Sequence, residues 1–274
     1  MMRIRIIQNC YTSDQKEGCS FEPYLNETPQ SADEKYLFFE SEVIRKLVVD
    51  RWHEESDFFG VLGYRWQEKL VEATAPMRSL PIRNLSRDVL TPQAVLEFVS
   101  NHSEADFLSL GQFIPHPVFR FAETFHAGIL EATKKLLEAN RIRFDPRMMI
   151  SQPIYFNSFV ARSEAIGSFV REILDPVIRA ATEDSELRRL CLQNSGYFRS
   201  FRPELARLYG ISYYPLHPFI GERLINLYTM ESGARVVSFD RSARTSRWTR
   251  MASAFERSRR SIAWHWLSKE GWRM

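Results

Sequence analysis

The sequence predicts an α/β protein built on a central, mostly parallel sheet flanked by helices. Three observations carry that prediction. Phe58-Phe-Gly-Val-Leu62 is a short apolar run preceded by charge, the pattern of a strand buried on both faces. An earlier strand pattern spans Arg3 to Ile7, and a helical pattern with Tyr36, Phe39, Val43 and Leu47 on one face lies between the two. Strand, helix, strand in that order is the unit that makes parallel neighbours. At 274 residues, the chain is long enough for one large α/β domain or two small ones.

The elements follow in order. Gln8-Asn9-Cys10-Tyr11-Thr12 sits at the exit of the first strand, and residues 13–32 read as a long polar loop. Ser31-Ala-Asp-Glu34 is a capping-box pattern that starts the first helix, which runs to about Trp52. After the Phe58–Leu62 strand, Gly63 opens a bend, and Tyr64, Arg65, Gln67, Glu68 and Lys69 follow it. Ligands of open α/β sheets bind where central strands end, so this bend is the first candidate site; a plain solvated loop is the competing reading. Residues 71–90 show no clear period.

Thr91-Pro92 starts a helix, because Thr caps and Pro fits the first helical position. Asp106 to Leu110 reads as a strand, and Gln112 to Val118 as a loop carrying His116. Phe121, Phe125, Ile129, Ala132 and Leu136 mark one long helix ending near Asn140. Pro153 to Val160 is the next strand. A helix capped by Ser163 is kinked or broken at Pro176, and a further helix reaches Gln193. Phe219 to Tyr228 is a helix with Gly233 past its end, and Val236 to Phe239 is a last strand.

Charge is unevenly spread. Residues 241–274 hold nine Lys/Arg and two Glu, a local charge of +7. The whole chain carries +3, which leaves about −4 for residues 1–240. The domain therefore spans 1–240, and 241–274 is a basic tail with Trp248, Trp264, Trp266 and Trp272. That mixture suits an anionic membrane surface first, ahead of nucleic acid or a solvated tail. The three cysteines, with no CxxC pair, suit a reducing cytoplasm. No signal-peptide pattern and no membrane-spanning run is present, so a soluble, cytoplasmic protein is expected.

GxGxxG, GxxxxGK[ST], GxSxG and HExxH are all absent, which removes the main support for dinucleotide, P-loop, esterase and zincin chemistry. Metals that bridge phosphates favour carboxylates at a strand end, and Asp-x-Asp is missing too. Glu55-Ser-Asp57 and Glu104-Ala-Asp106 come nearest, but both precede their strands and read as strand-entry acids; Glu104 and Asp106 remain the weak metal candidates. Asn157 puts an amide in an apolar strand, and its partners are either backbone or the hydroxyls of a sugar. His217 reads as part of a Pro-flanked loop, and a loop there is expected to face a cleft. Glu222, near a helix start, serves either as a general base or as a cap.

Four stretches together carry a family resemblance: Glu40 to Val43, Asp57-Phe-Phe-Gly-Val-Leu-Gly-Tyr-Arg65, Tyr155-Phe-Asn157-Ser-Phe-Val160 and Pro218-Phe-Ile-Gly-Glu222-Arg-Leu-Ile-Asn-Leu-Tyr228. In this order they resemble a family of bacterial glycosyltransferase-like proteins of capsule and lipopolysaccharide O-chain assembly, over roughly residues 3–240. The resemblance implies a GT-A-like fold around a mixed, mostly parallel sheet. It also implies a nucleotide-sugar donor and a saccharide or lipid-linked acceptor; the leaving diphosphate then needs positive charge, supplied either by Mn or Mg as cofactor or, with no metal, by Arg65. By position it assigns Tyr64, Arg65, Asn157, Glu222 and Arg223 to the site, and places Asn9 and Tyr11 at the donor nucleotide. Gly63 stands where the family often has His. Glu222 is then the expected base and Arg65 the expected partner of the leaving diphosphate, with Tyr64, Asn157, His217 and Arg223 holding substrate. No nucleic acid is expected as partner, and the tail would place the protein at the inner face of the membrane.

Overall fold

The computed structural model describes residues 2–26, 38–74, 89–111, 118–144, 154, 157–197, 203, 206–207 and 210–239. The tail 241–274, the capping box at 31–34, and His116 lie outside the described residues. In chain order, the described elements are β1 (Ile4–Cys10), α1 (Ser13–Glu17), β2 (Glu22–Leu25), α2 (Glu40–Val49), β3 (Phe58–Gly63), α3 (Trp66–Thr74), α4 (Pro92–Asn101), β4 (Phe107–Ser109), α5 (Val118–Phe125) and α6 (Ile129–Ala139). There follow β5 (Phe159–Arg162), α7 (Ser163–Phe169), α8 (Asp175–Glu183), α9 (Ser185–Cys191), α10 (His217–Glu231) and β6 (Val236–Ser238).

The six strands form one sheet in the order β2-β1-β3-β5-β4-β6. β1 is parallel to β2 and β3, and β4 is parallel to β6, while β5 runs against both β3 and β4. The expectation of a mostly parallel sheet is corrected here: the sheet is mixed, with β5 reversed in its middle. This reversal sets the geometry of the whole edge. Chain leaving β1, β3 and β4 arrives at the same edge as chain entering β5.

All six residues of β3 are buried, as its apolar run predicts. Phe59 and Val61 face a core made with α2, α6, α8 and α10, whereas Phe58 and Leu62 face a smaller core with α3 and α4. Helices therefore cover both sides of the sheet. No helix among the described residues is long and apolar enough to cross a membrane.

Several boundaries differ from the sequence reading. The supposed long loop contains α1, capped by the Thr12 hydroxyl, and the edge strand β2. The single helix expected across 121–140 is two, because Gly128 takes a φ of +89°. The Glu123 carboxylate accepts the Gly128 and Leu130 N–H groups there, at 2.8 and 2.9 Å, and so caps the second helix. Pro176 does not break its helix: α7 and α8 are joined by a π-helical stretch, Val170–Leu174. Proline lacks the N–H that an ordinary turn would use, and the looser winding lies just upstream of it. Thr91 caps α4 as predicted, accepting the Ala94 N–H at 3.1 Å.

Candidate functional site

The candidate site forms where β1 and β3 end. Residue pairing puts Asn9 beside Gly63, and side chains two apart along a strand share a face. Asn9 therefore lies on the Ile7 face, which is covered by α2. Its carboxamide is fully buried, and among the described residues neither its oxygen nor its nitrogen has a hydrogen-bond partner. Such groups are rare, because leaving one unsatisfied costs about 1–3 kcal/mol.

Gly63 has a local reason to be glycine. A side-chain carbon there would come within 3.1 Å of the Glu40 Oε1 and 3.5 Å of the Lys69 Nζ. Those two groups form a salt bridge of 2.8 Å across the end of β3. Lys69 reaches it because α3 starts at Trp66, directly after the bend. Trp66 is buried against Phe21 and anchors that start. Gln8 fixes the bend from the other side: its Nε2 donates to the Tyr64 carbonyl, while its Oε1 accepts the Ser20 and Phe21 N–H groups.

From α10 come Glu222 and Arg223. Glu222 is the sixth residue of that helix, beyond the first turn where the dipole acts. Burial dominates instead, and pushes its carboxyl up to about 7; Arg223 and Lys69 oppose the rise and Glu40 adds to it. The Lys69 ammonium is lowered by burial, but Glu40 and Glu222 outweigh this and leave it raised. Arg223 donates to the Phe219 carbonyl at 2.6 Å and lies 3.8 Å from Glu222. Two carboxylates and two cations thus meet in one largely enclosed cluster.

Asn157 joins this cluster by way of the reversed strand. It stands two residues before β5, not within it, at a φ of +52°. The strand reading placed it too far in, because the apolar residues around it hide a turn; asparagine tolerates this left-handed conformation better than most residues. Its Nδ2 donates to the Ser41 Oγ at 3.0 Å. Ser41 in turn packs so tightly on α10 that a carbon added to Gly221 would meet its Oγ at 2.6 Å. Asn226 holds the approach to Asn157, accepting the Ile154 N–H at 2.6 Å and donating to the Ile154 carbonyl at 2.8 Å.

Aromatic rings border the cluster. Tyr11 meets Tyr64 edge-on at 6.0 Å, and Tyr11 and Phe39 pack with Tyr64 and Tyr214. The rings continue from Tyr214 to Tyr197, Phe219 and His126, which stacks on Phe219 at 3.9 Å.

Asn9, Tyr11, Tyr64, Asn157, Glu222 and Arg223 are therefore gathered at one edge. Arg65 adjoins Tyr64 at the start of α3, where its carbonyl accepts the Lys69 N–H at 2.9 Å. His217 does not lie in a loop beside a cleft. It is the first residue of α10, buried between Phe38 and Phe39, with Nδ1 3.2 Å from the Cys191 carbonyl. Burial holds it neutral, lowered to about 3.

Glu104 and Asp106 lie at the opposite edge, where β4 begins. Asp106 accepts the Arg235 N–H at 2.8 Å, and Glu104 pairs with the Arg235 guanidinium at 2.9 Å. Asp57 does the same before β3, accepting the Arg3 N–H at 2.7 Å. These acids pin the entries of adjacent strands.

No protein-family model, no curated protein and no solved structure matches the chain. Among the described residues, no three His, Cys, Asp or Glu side chains lie together as metal ligands would. Glu40 is engaged by Lys69, and Arg223 stands beside Glu222. Sequence reasoning named Glu40, Ser41 and Lys69 only inside longer stretches and gave them no role, and it missed Asn9's isolation. The one signal for Lys69 was its place a helical turn beyond Arg65.

Proposed function

We propose that the chain is a glycosyltransferase of GT-A-like fold that moves a sugar from a nucleotide-sugar donor to a saccharide or lipid-linked acceptor. The setting is bacterial surface polysaccharide synthesis. The observation that carries this reading is the Glu222 carboxyl, raised to about 7 beside two cations at the sheet edge. A base works best when its pKa lies near the working pH. In the proposed step the acceptor hydroxyl gives its proton to Glu222, and the acceptor oxygen bonds to the anomeric carbon. The bond from that carbon to the donor phosphate oxygen breaks, and Arg65 and Lys69 meet the charge on the departing diphosphate.

The unpartnered Asn9 carboxamide and Tyr11 mark the nucleotide end. Tyr64, Asn157 and Arg223 would hold sugar hydroxyls and phosphate, and the half-buried Tyr197, Tyr214 and Phe219 rings suit the apolar face of a sugar. Residues 241–274 would hold the protein to an anionic membrane surface from the cytoplasmic side, which vesicle binding with and without the tail tests.

Transfer assays across several nucleotide sugars test the activity itself. Glu222→Gln is expected to lower turnover by roughly 10²–10⁴ while donor binding persists. Normal turnover in that variant rules out the base. The internal pairing of Glu222 with Arg223 favours one second reading, a saccharide-binding protein without chemistry. Saccharide binding with neither transfer nor donor hydrolysis, with or without manganese, selects it.

A further inference from the structure

The end of β1 holds a feature that sugar transfer does not use. The Cys10 and Cys19 sulfurs lie 2.9 Å apart, nine positions apart in sequence, on either side of α1. Cys10 is fully buried and Cys19 half-buried. We infer that Cys10 and Cys19 are a site of reversible covalent modification, closing to a disulfide in the presence of a low-molecular-weight disulfide oxidant.

The surrounding backbone already holds the pair in place. The Asn26 N–H bonds to the Cys10 carbonyl at 2.7 Å, and Gln8 grips the Ser20 and Phe21 N–H groups just past Cys19. Neither contact involves sulfur, so both survive bond formation. Only a local closing of the sulfurs, to about 2.0 Å, remains. Each thiol now points at a neighbouring carbonyl, Gln8 for Cys10 and Gln15 for Cys19, at 3.4 Å. Burial first, and then the Cys19 contact, raises the Cys10 thiol to about 12, so Cys10 resists direct attack from solvent.

The exchange therefore starts at Cys19. Its thiolate attacks one sulfur of the oxidant RSSR and releases RS⁻, leaving Cys19–S–S–R. The Cys10 sulfur, already in contact with Cys19, then attacks the Cys19 sulfur, gives up its proton as it does so, and expels the second RS⁻. The two cysteine protons end on the two RS⁻ groups, so two thiols and RSSR become one protein disulfide and two RSH. The bridge would tie the end of β1 to the start of β2 across α1. Tyr11, which meets Tyr64, lies within the closed loop. Cys191 is excluded by place: it ends α9, buried in the large core.

The test is to incubate the full chain with glutathione disulfide, denature it in acid, alkylate, and map the peptides. The expected product has lost two hydrogens, links Cys10 to Cys19, and leaves Cys191 as its one alkylated thiol; dithiothreitol reverses it. Cys191→Ser is expected to form the same bond, and Cys19→Ser none within the chain. Hydrogen exchange across residues 12–20 is expected to be slower in the oxidised protein. Three alkylated thiols, a bond to Cys191, or only a chain-to-chain bridge overturns the inference. Unchanged exchange after bond formation overturns the locking of the loop. None of these readouts requires glycosyl transfer.

Discussion

Asn157 combines two demands in one side chain. Its φ of +52° disfavours residues with a Cβ, and its amide reaches Ser41 at 3.0 Å. Asn157→Ala loses both the local tolerance and the hydrogen bond. Asn157→Gly loses the hydrogen bond alone. Alanine is expected to be the less stable of the two by about 1 kcal/mol, in line with the cost of a left-handed residue, as measured by urea unfolding. Equal stabilities would remove the backbone argument. The sequence made Asn157 visible as a polar residue among apolar ones, but not as a turn. The sequence placed Glu222 near a helix start, where the dipole would favour its charge, but its burial was not legible, and burial acts the other way and raises its carboxyl. Glu40 and Lys69 stand 29 positions apart and carry no local mark; only the fold puts them at the end of β3.

At the level of elements, the contact of α2 with α10 brings Glu40 and Glu222 to the same sheet edge. Gly221 faces Ser41 and Phe38, and an added carbon would come within 3.0 Å of the Phe38 ring. Gly221→Ala is expected to cost about 1–3 kcal/mol, because the clash is with side chains backed by a packed helix. Thermal unfolding measures it, and a Ser41→Gly background should recover part of the loss. Elements marked by local chemistry were found from sequence: β3, α4 with its Thr91-Pro92 start, and the middles of β1 and α10, although β1 runs on to Cys10 and α10 starts earlier, at His217, and ends later, at Glu231. Those decided by partners were not. The apolar spacing of Phe125 and Ile129 continues across Gly128, so only the Glu123 caps reveal the break. The reversal of β5 has no counterpart in its composition, since strand direction is set by which neighbours it meets.

Across the whole molecule, buried ionisable groups oppose one another. His126 and His217 are held neutral by burial, lowered to about 4 and about 3. Their stabilisation is complete above their unfolded pKa of about 6.5, and is lost as pH falls through the folded values. Glu222 acts in the opposite sense. Its folded carboxyl is raised, so its contribution is complete below its unfolded pKa of about 4.3 and is lost as pH rises through about 7. Each group changes stability by about 1.4 kcal/mol per pH unit within its window. Between about pH 5 and 6.5 the two histidines outweigh the one glutamate, so stability is expected to rise with pH. Glu222→Gln should steepen that rise in denaturant titrations, and a shallower slope would contradict the assignment.

The same half-titrated carboxyl makes the protein a proton acceptor when an anion arrives. The diphosphate released by transfer, settling beside Lys69 and Arg223, diverts their positive field, so Glu222 holds more tightly the proton it has taken from the acceptor. Near neutrality, docking should then draw hydrogen ions from the buffer. Calorimetric heats would differ between phosphate and Tris in proportion to the ions absorbed, and Glu222→Gln would erase the difference.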